Sequence, residues 1–425
     1  MPDLAHIRDH PEEVAKAARL KGFSVDTKKI LDLDKKRREL QQEYDQIRAA
    51  KHASGGELAK LAGEAKKKAV AKLKEIDKKE AKVKPQLEKV EQEAEAALDA
   101  LPNPPLPEVP KGAGEKDNVE IRKWGEPPKW DFPALDHVEL ARRLDLIDFE
   151  RGAKVGGSGF YYLKNEAVAL ELALVQYALD FLTKRGFTPW ITPDLARDRF
   201  YLGIGYLPRG PEAQTYEIKD QDLGLIATAE VTLAGIHADE ILSGSDLPKR
   251  YAGYSHCFRQ EAGSYGKYSK GLFRVHQFTK VEMFAFVRPE DSAAMHEELL
   301  GIEETLWRGL KIPYRVVEMC AGDLGAQAAR KFDLEAWMPG RADWGEVTST
   351  SNTTDYQARN LSIRYRKKDG GNEFVHTLNG TAVATSRAII AILENYQDKD
   401  GSVQIPEVLR PYMGGIEKIS PTANV

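Results

Sequence analysis

Residues 28–101 space their apolar side chains in a way that leaves little choice of fold. In the second half these fall at Leu73, Ile76, Val83, Leu87, Val90, Ala94, Ala97 and Leu101. The steps are threes, fours and one seven, which trace a single seam along a helix. Ile30, Leu33, Leu40, Tyr44 and Ile47 repeat the spacing in the first half. Between the runs, Ser54-Gly55-Gly56 is expected to break the helix. Two helices with one seam each and a short break between them bury those seams by folding back as an antiparallel hairpin. Each helix of about 25–35 residues reaches roughly 40–50 Å at 1.5 Å per residue, so the segment is an arm. Pro85 lies inside the second pattern, where it removes a backbone hydrogen bond and is expected to bend or interrupt the helix.

The arm carries its charge unevenly. Between Gln46 and Lys79 stand ten basic residues, among them Arg48, Lys51, Lys60, Lys66, Lys67 and Lys68, against four acids, a balance of +6 on a chain of net charge -4. A solvated helix face carries such a pattern, and so does a surface that displaces counterions from a nucleic-acid backbone. The pattern holds no base specificity.

At 425 residues the chain is long enough for more than one domain. Residues 101–119 hold five prolines and two glycines, so 102–119 reads as a linker. Beyond it, short β-like runs joined as hairpins alternate with helical ones, which predicts an α+β domain over 120–425 with an antiparallel sheet. Two cysteines, Cys257 and Cys320, give no disulfide framework and suit a reducing compartment. No run of about 18 apolar residues is present for a membrane span. The opening MPDLAHIRDHPEEV is too acidic for a transit peptide and has no apolar signal core. A cytoplasmic location is expected.

Chemistry concentrates in FRQEAGSYGKYSKGLFRVHQFTKVEMF, Phe258 to Phe284. Read as strands Tyr254–Glu261 and Phe273–Phe286, period-two alternation puts Cys257, Arg259 and Glu261 on one face of the first strand. It puts Arg274, His276, Phe278, Lys280 and Glu282 on one face of the second. Phe278 is then a ring among charges, suited to stacking on a base. Arginines flank it, and arginine grips phosphate oxygens with a two-pronged fork. His256 and His276 read as structural. In HTLNGTAVATSRAIIAILENYQ, His376–Asn379 reads as a strand end, Asn379-Gly380 as a turn, and Thr381 or Thr385 as a helix cap. Arg387 then sits in the first helical turn, where a cation is unfavourable unless an anion lies between it and the helix. Glu346 with Ser349 and Asn352 offers oxygen ligands of the few-carboxylate kind that Mg²⁺ takes. Thr228 and Glu230 stand on one side of a short strand or turn. No phosphate-loop, dinucleotide-fold or zinc motif is present in the sequence, so no zinc is expected.

These residues resemble a known family. FRxE at Phe258–Glu261, RVHQF at Arg274–Phe278, KVE ending at Glu282 and LNGTAVATSR ending at Arg387 look like motifs 2 and 3 of the class II aminoacyl-tRNA synthetases. GFTPWITPDL, with Pro193, resembles motif 1. TAE at Thr228–Glu230, FRQEAGSYG, GLFRVHQF, the SxSNxxDYQAR run at Ser349–Arg359 and LPNPP are similar to those of the bacterial-type seryl-tRNA synthetases, whose hallmark is a long N-terminal helical hairpin.

The resemblance implies a class II antiparallel sheet flanked by helices, preceded by a tRNA-binding domain over 1–101. It implies ATP-dependent attachment of serine to tRNA(Ser), and to selenocysteine tRNA where present, through a seryl-adenylate. By position it implies that Arg259, Arg387 and Glu346 are catalytic. ATP falls to Arg259, Gln260, Glu261, Arg274, Val275, Phe278, Glu346, Val347, Thr348, Ser349 and Arg387. Serine falls to Thr228, Ala229, Glu230, Arg259, Glu282, Asn379 and Thr381. Mg²⁺ falls to Glu346 and Ser349, and tRNA to Arg48, Lys51, Lys60, Lys66, Lys67 and Lys68. Motif 1 implies a homodimer, and neither DNA nor membrane is an expected partner. Asn360, where many members carry a second arginine after QAR, and Pro85 depart from the family pattern.

Three other readings have sequence tests. An enzyme loading a carrier protein would lack the basic arm. A non-catalytic relative would have lost one of Arg259, Glu261, Glu282 or Arg387. A plain coiled-coil protein leaves the last three hundred or so residues unexplained.

Overall fold

A computed structural model describes residues 4–58, 62–206, 215–261 and 270–421. The chain divides into two compact units, Met1–Pro102 and Asn103–Val425.

In the first unit, helices α1 (Leu4–Asp9) and α2 (Pro11–Leu20) precede the long α3 (Thr27–Leu58) and α4 (Gly63–Asp99). Leu40, Ile47, Ile76, Val83, Leu87 and Val90 bury themselves together between α3 and α4, with Leu33 and Tyr44 against them. Ile7, Ile30, Leu98 and Leu101 close the root. The helical seams are therefore as expected, and two details differ. α3 runs through Ser54-Gly55-Gly56 and ends at Leu58, because glycine inside a helix costs only about 1 kcal/mol and the seam packing carries it. α4 is continuous through Pro85, so the proline does not interrupt it.

The second unit is built on an eight-stranded sheet. Its strands in chain order are β1 (Val119–Trp124), β2 (Thr188–Ile191), β3 (Lys249–Phe258), β4 (Gln277–Val287), β5 (Tyr314–Glu318), β6 (Arg330–Met338), β7 (Asp343–Asn352) and β8 (His376–Ala384). Across the sheet they run β1-β5-β6-β7-β8-β4-β3-β2. All neighbours are antiparallel except the edge pair of β2 with β3, so the sheet is mixed rather than wholly antiparallel. Helices α5 (Glu166–Thr183), α6 (Ser292–Gly309) and α7 (Thr385–Asn395) share the main core with it.

Three further expectations are corrected. Asn379-Gly380 is no turn, because β8 passes through it while paired on both sides. Gly380 is needed for a close approach: a Cβ there would lie 2.9 Å from Glu303 Oε1 and 3.0 Å from Thr350 Oγ1. Neither threonine caps α7: Thr381 belongs to β8, and the Thr385 hydroxyl donates to the Thr279 carbonyl (3.1 Å). The Pro-rich segment is packed rather than free. The Asn103 and Leu106 amides donate to the Ala326 and Ala329 carbonyls (2.8 and 2.9 Å), and Val109 is buried against Val317 and Met319. Proline leaves few backbone donors to satisfy, so such a segment can lie on the domain through its remaining amides.

Candidate active site

The polar face of the β3–β4 hairpin forms one wall of a cleft of about 370 Å³. In the ladder Phe278 stands opposite Cys257, and Lys280 opposite Ser255. Beyond the end of β3 the Arg259 amide still donates to the His276 carbonyl (3.0 Å), which carries the hairpin geometry to Arg259. The guanidinium carbon of Arg259 lies 5.3 Å from the centre of the Phe278 ring. Its buried Nε has no hydrogen-bond partner. A buried charged donor left open is costly, and an anionic ligand would satisfy it. His276 turns out of the cleft, stacking on Phe160 at 5.3 Å.

Arg387 faces this wall from the first turn of α7. Its Nη1 donates to the Glu346 carbonyl (2.9 Å) and lies 3.2 Å from Glu346 Oε2. The guanidinium sits 4.9 Å from the centre of the Phe273 ring. Burial alone would raise the Glu346 carboxyl, but Arg387 and Lys331 outweigh it and hold it well below the usual range. Glu346 is thus an anion at neutral pH, as a cation ligand must be.

The deep end is acidic. Glu282 pairs with Lys280 and accepts from the Thr381 hydroxyl (3.4 Å). Glu230 opens a short helix, Glu230–Gly235, and its Oε1 accepts from Gln357 Nε2 (2.7 Å) and Asn379 Nδ2 (2.9 Å). Gln357 is fixed in turn by the Thr377 hydroxyl (2.9 Å). Burial, with the nearby Glu282 charge, pushes the Glu230 carboxyl up to about 7. Thr228 lines the same end.

The cleft lining therefore holds four carboxylates, Glu230, Glu261, Glu282 and Glu346, and four cations, Arg259, Lys280, Lys331 and Arg387. Balanced charge of this density in a groove suits a ligand that is itself zwitterionic and polyanionic. Of the expected site residues, Val275, Val347, Thr348, Ser349, Asn379 and Thr381 also line it. Three do not. Gln260 donates to the Thr215 carbonyl (2.8 Å), Arg274 pairs with Glu261 (3.2 Å), and Ala229 is buried. Tyr206, Phe273, Gln327, Lys331, Ser351 and Ser386 line the cleft without having been singled out. For Lys331 the signal was its alternation with Asp333 on one face of β6.

Among the arm residues, Lys66, Lys67 and Lys68 are exposed, whereas Lys51 lies 2.8 Å from Asp77 and 2.6 Å from Glu80 on the facing helix. Arg48 lies over the Tyr44 ring at 6.0 Å. Lys60 is outside the described residues.

Comparison with known proteins agrees along the chain. Residues 1–105 match the seryl-tRNA synthetase N-terminal domain, and 215–396 match the class II tRNA synthetase core domain (G, H, P, S and T). A serine–tRNA ligase of Dictyoglomus turgidum is 54% identical over 424 residues, covering 99% of this chain and 100% of the relative. One from Rubrobacter xylanophilus is 52% identical over 97% of this chain and 98% of the relative. The crystal structure of a Pyrococcus horikoshii seryl-tRNA synthetase complexed with ATP superposes with a TM-score of 0.87 at 43% identity, with full coverage of both chains. The cytoplasmic serine–tRNA ligase of Naegleria fowleri in complex with AMP gives 0.82 at 35%, over 97% and 96%. With a nucleotide-sized cleft, an arginine over an aromatic ring in its wall and matches over both units, the chain belongs to the seryl-tRNA synthetase family, the serine–tRNA ligases, and attaches serine to tRNA at the expense of ATP.

Proposed function

We propose that the reaction runs in two steps in this cleft. In the first, a serine carboxylate oxygen attacks the α-phosphorus of ATP, the bond to the β-phosphate oxygen breaks, and seryl-adenylate and pyrophosphate form. In the second, the 3′-terminal ribose hydroxyl of the tRNA attacks the seryl carbonyl carbon and AMP leaves, its phosphate oxygen taking the bonding pair. No side chain need act as a nucleophile. The work is alignment and neutralisation of charge on the α-phosphate.

Arg259 meets the α-phosphate and the serine carboxylate, and its open Nε supports this. Phe278 stacks on adenine, with Val275 and Glu261 at its edge. Arg274 is held by Glu261 near the mouth, from which it can turn to the outer phosphates. Arg387 grips the phosphates from the α7 side. Glu346 and Ser349 fit Mg²⁺, which takes few carboxylates and completes its shell with phosphate oxygens and water. Mg²⁺ bound there would neutralise phosphate charge. Among the described residues no group of three or more His, Cys, Asp or Glu gathers as a richer metal site.

Serine is selected by hydrogen bonding. Glu282 and Thr381 receive its hydroxyl, while Thr228 and Glu230 receive its ammonium. Alanine would leave the Glu282–Thr381 pair without its partner, a large penalty, and threonine is excluded by size. The exposed lysines of the arm bind the tRNA backbone. A homodimer forms across β2 and α5, where Ile191 on the edge strand is 83% exposed and Leu172 on the helix 61%. The site of action is the cytoplasm, and no helix among the described residues is long and apolar enough to cross a membrane.

The observation that carries this reading is the placement of Arg259 over Phe278 with an unsatisfied buried donor. The test is serine-dependent exchange of pyrophosphate into ATP by Arg259→Ala. Loss of exchange in a folded protein is expected, and near-normal exchange overturns it.

A further inference from the structure

The segment that carries Phe273 and Val275 into the cleft is tied to a buried pair outside the cleft lining. His137 opens a short helix, His137–Arg143, and Glu394 lies in the last turn of α7. Their side chains are 8% and 1% exposed. Glu394 follows Arg387 by two turns on the same face of α7. Its Oε1 accepts from the His137 amide (3.0 Å) and lies 2.9 Å from His137 Nδ1, and its Oε2 accepts from the Gly340 amide (2.9 Å). The other ring nitrogen, Nε2, accepts from the Leu272 amide (3.2 Å). One carboxylate and one ring thus join α7, the turn from β6 to β7 and the residue before Phe273.

These hydrogen bonds fix the form of the ring. An Nε2 that accepts from an amide carries no proton, so the proton sits on Nδ1 and is donated to Glu394. The chain is shaped to the pair as well. Gly271 has a φ of +68°, and a Cβ on it would run into the His137 imidazole. A Cβ on Gly340 would lie 2.9 Å from Glu394 Oε1. The two amides that the pair holds lead to one side chain. Phe273 follows Leu272, and Arg341 follows Gly340. The Arg341 guanidinium lies 4.8 Å from the centre of the Phe273 ring, and that of Arg387 lies 4.9 Å from it. Phe273 therefore meets two guanidiniums, one from each of the elements that Glu394 joins.

We propose that His137 and Glu394 are positioning residues for the ATP site, which set Phe273, Val275 and Arg387 in place by holding the Leu272 and Gly340 amides. The inference rests on the assignment of this wall to ATP above. Neither side chain touches a reactant or moves a proton. Their effect is to form the wall before the nucleotide arrives, and a preformed wall is read as affinity. The serine residues Glu230, Glu282 and Thr381 stand on other elements, the helix Glu230–Gly235 and strands β4 and β8, so serine binding is untouched.

Two substitutions separate holding the amide from filling the space. His137→Gln keeps an acceptor as far from the backbone as Nε2, whereas His137→Asn reaches only as far as Nδ1. Serine-dependent pyrophosphate exchange gives the KM for ATP at saturating serine and the KM for serine at saturating ATP. In His137→Asn the KM for ATP is expected to rise by about tenfold, the scale of leaving one buried amide without an acceptor, with the KM for serine unchanged. His137→Gln is expected to stay within about threefold of wild type on both. Should His137→Asn not fold, Glu394→Gln decides. Its amide has one acceptor oxygen where the carboxylate has two, so it cannot serve His137 and Gly340 at once, and the KM for ATP alone should again rise. A wild-type KM for ATP in His137→Asn or Glu394→Gln, equal losses in the Asn and Gln variants of His137, or a parallel rise in both KM values overturns the proposal, the last by making the pair a general prop of the fold. Failure of the underlying reading would look different, because Arg259→Ala would then retain exchange.

Discussion

The arm and the cleft use charge in opposite ways. On α3 and α4 the apolar seam is inside and the lysines are outside, and a lysine that finds a partner, as Lys51 does with Asp77 and Glu80, becomes less available to a ligand. In the cleft the charges are inside, four carboxylates and four cations in one lining, and the buried Nε of Arg259 has no hydrogen-bond partner. Exposed charge on a helix is screened and individually weak, whereas charge in a desolvated groove is strong and position-sensitive. Single substitutions should therefore be severe in the cleft and mild on the arm, where only collective changes matter.

The sharpest contrast comes from Arg259→Ala, expected to lower pyrophosphate exchange by about 10³-fold through loss of charge stabilisation while thermal stability changes little. Removing residues 36–95 altogether should leave exchange unchanged yet lower tRNA charging by about 10²-fold, the scale set by removing a second, tethered binding site. If both activities fall together in steady-state assays, the arm is a structural element and the contrast fails.

Glu230 gives an intermediate effect with a definite sign. Its carboxyl titrates near 7, so it is protonated below that pH and anionic above it. The KM for serine, measured by exchange, should fall about tenfold per pH unit as pH rises toward 7 and then level off. Glu230→Gln should flatten the profile. A raised carboxyl stabilises the fold below the ordinary carboxylate range and loses that contribution as pH rises through 7. Thermal melts of Glu230→Gln should therefore lose part of the decline in stability between about pH 5 and 7.

The smallest effect belongs to the arm surface. Any one of Lys66→Gln, Lys67→Gln or Lys68→Gln should barely alter charging at low salt. The triple variant should reduce the salt dependence of tRNA binding by about 0.7–0.9 in log–log slope for each phosphate that is no longer neutralised. A wild-type slope in the triple variant would move the RNA-binding surface elsewhere.

The seam of the arm and the hairpin face were legible because both follow from periodicity: steps of three and four along α4, and alternation along β4 that brings Phe278, Lys280 and Glu282 to one wall. The helix stop and the β8 boundary were not, because tertiary packing overrode local preference. Gly56 lies within α3, and Asn379-Gly380 lies within a doubly paired strand. Lys331 escaped notice because Ser351, its ladder partner, and Asn379, the partner of Ser351, are distant in sequence and come together only through the order β6-β7-β8. Arg274 and Gln260 carried the right motif, yet their side chains are tied to Glu261 and Thr215. Motif matching identifies which residues belong to a site and not which way each one points.

Gly380 has an implication for how this pocket could diversify. The strand bearing Asn379 and Thr381 is backed by the buried Glu303, whose Oε2 accepts from Thr348 (3.0 Å) and whose Oε1 would lie against any added methyl group. That strand cannot retreat to make room for a bulkier amino acid. Descendants wanting a wider chamber must trim side chains on the front of the sheet, or replace the glycine and the acid behind it in one move, so the rear wall acts as an evolutionary ratchet on substrate size.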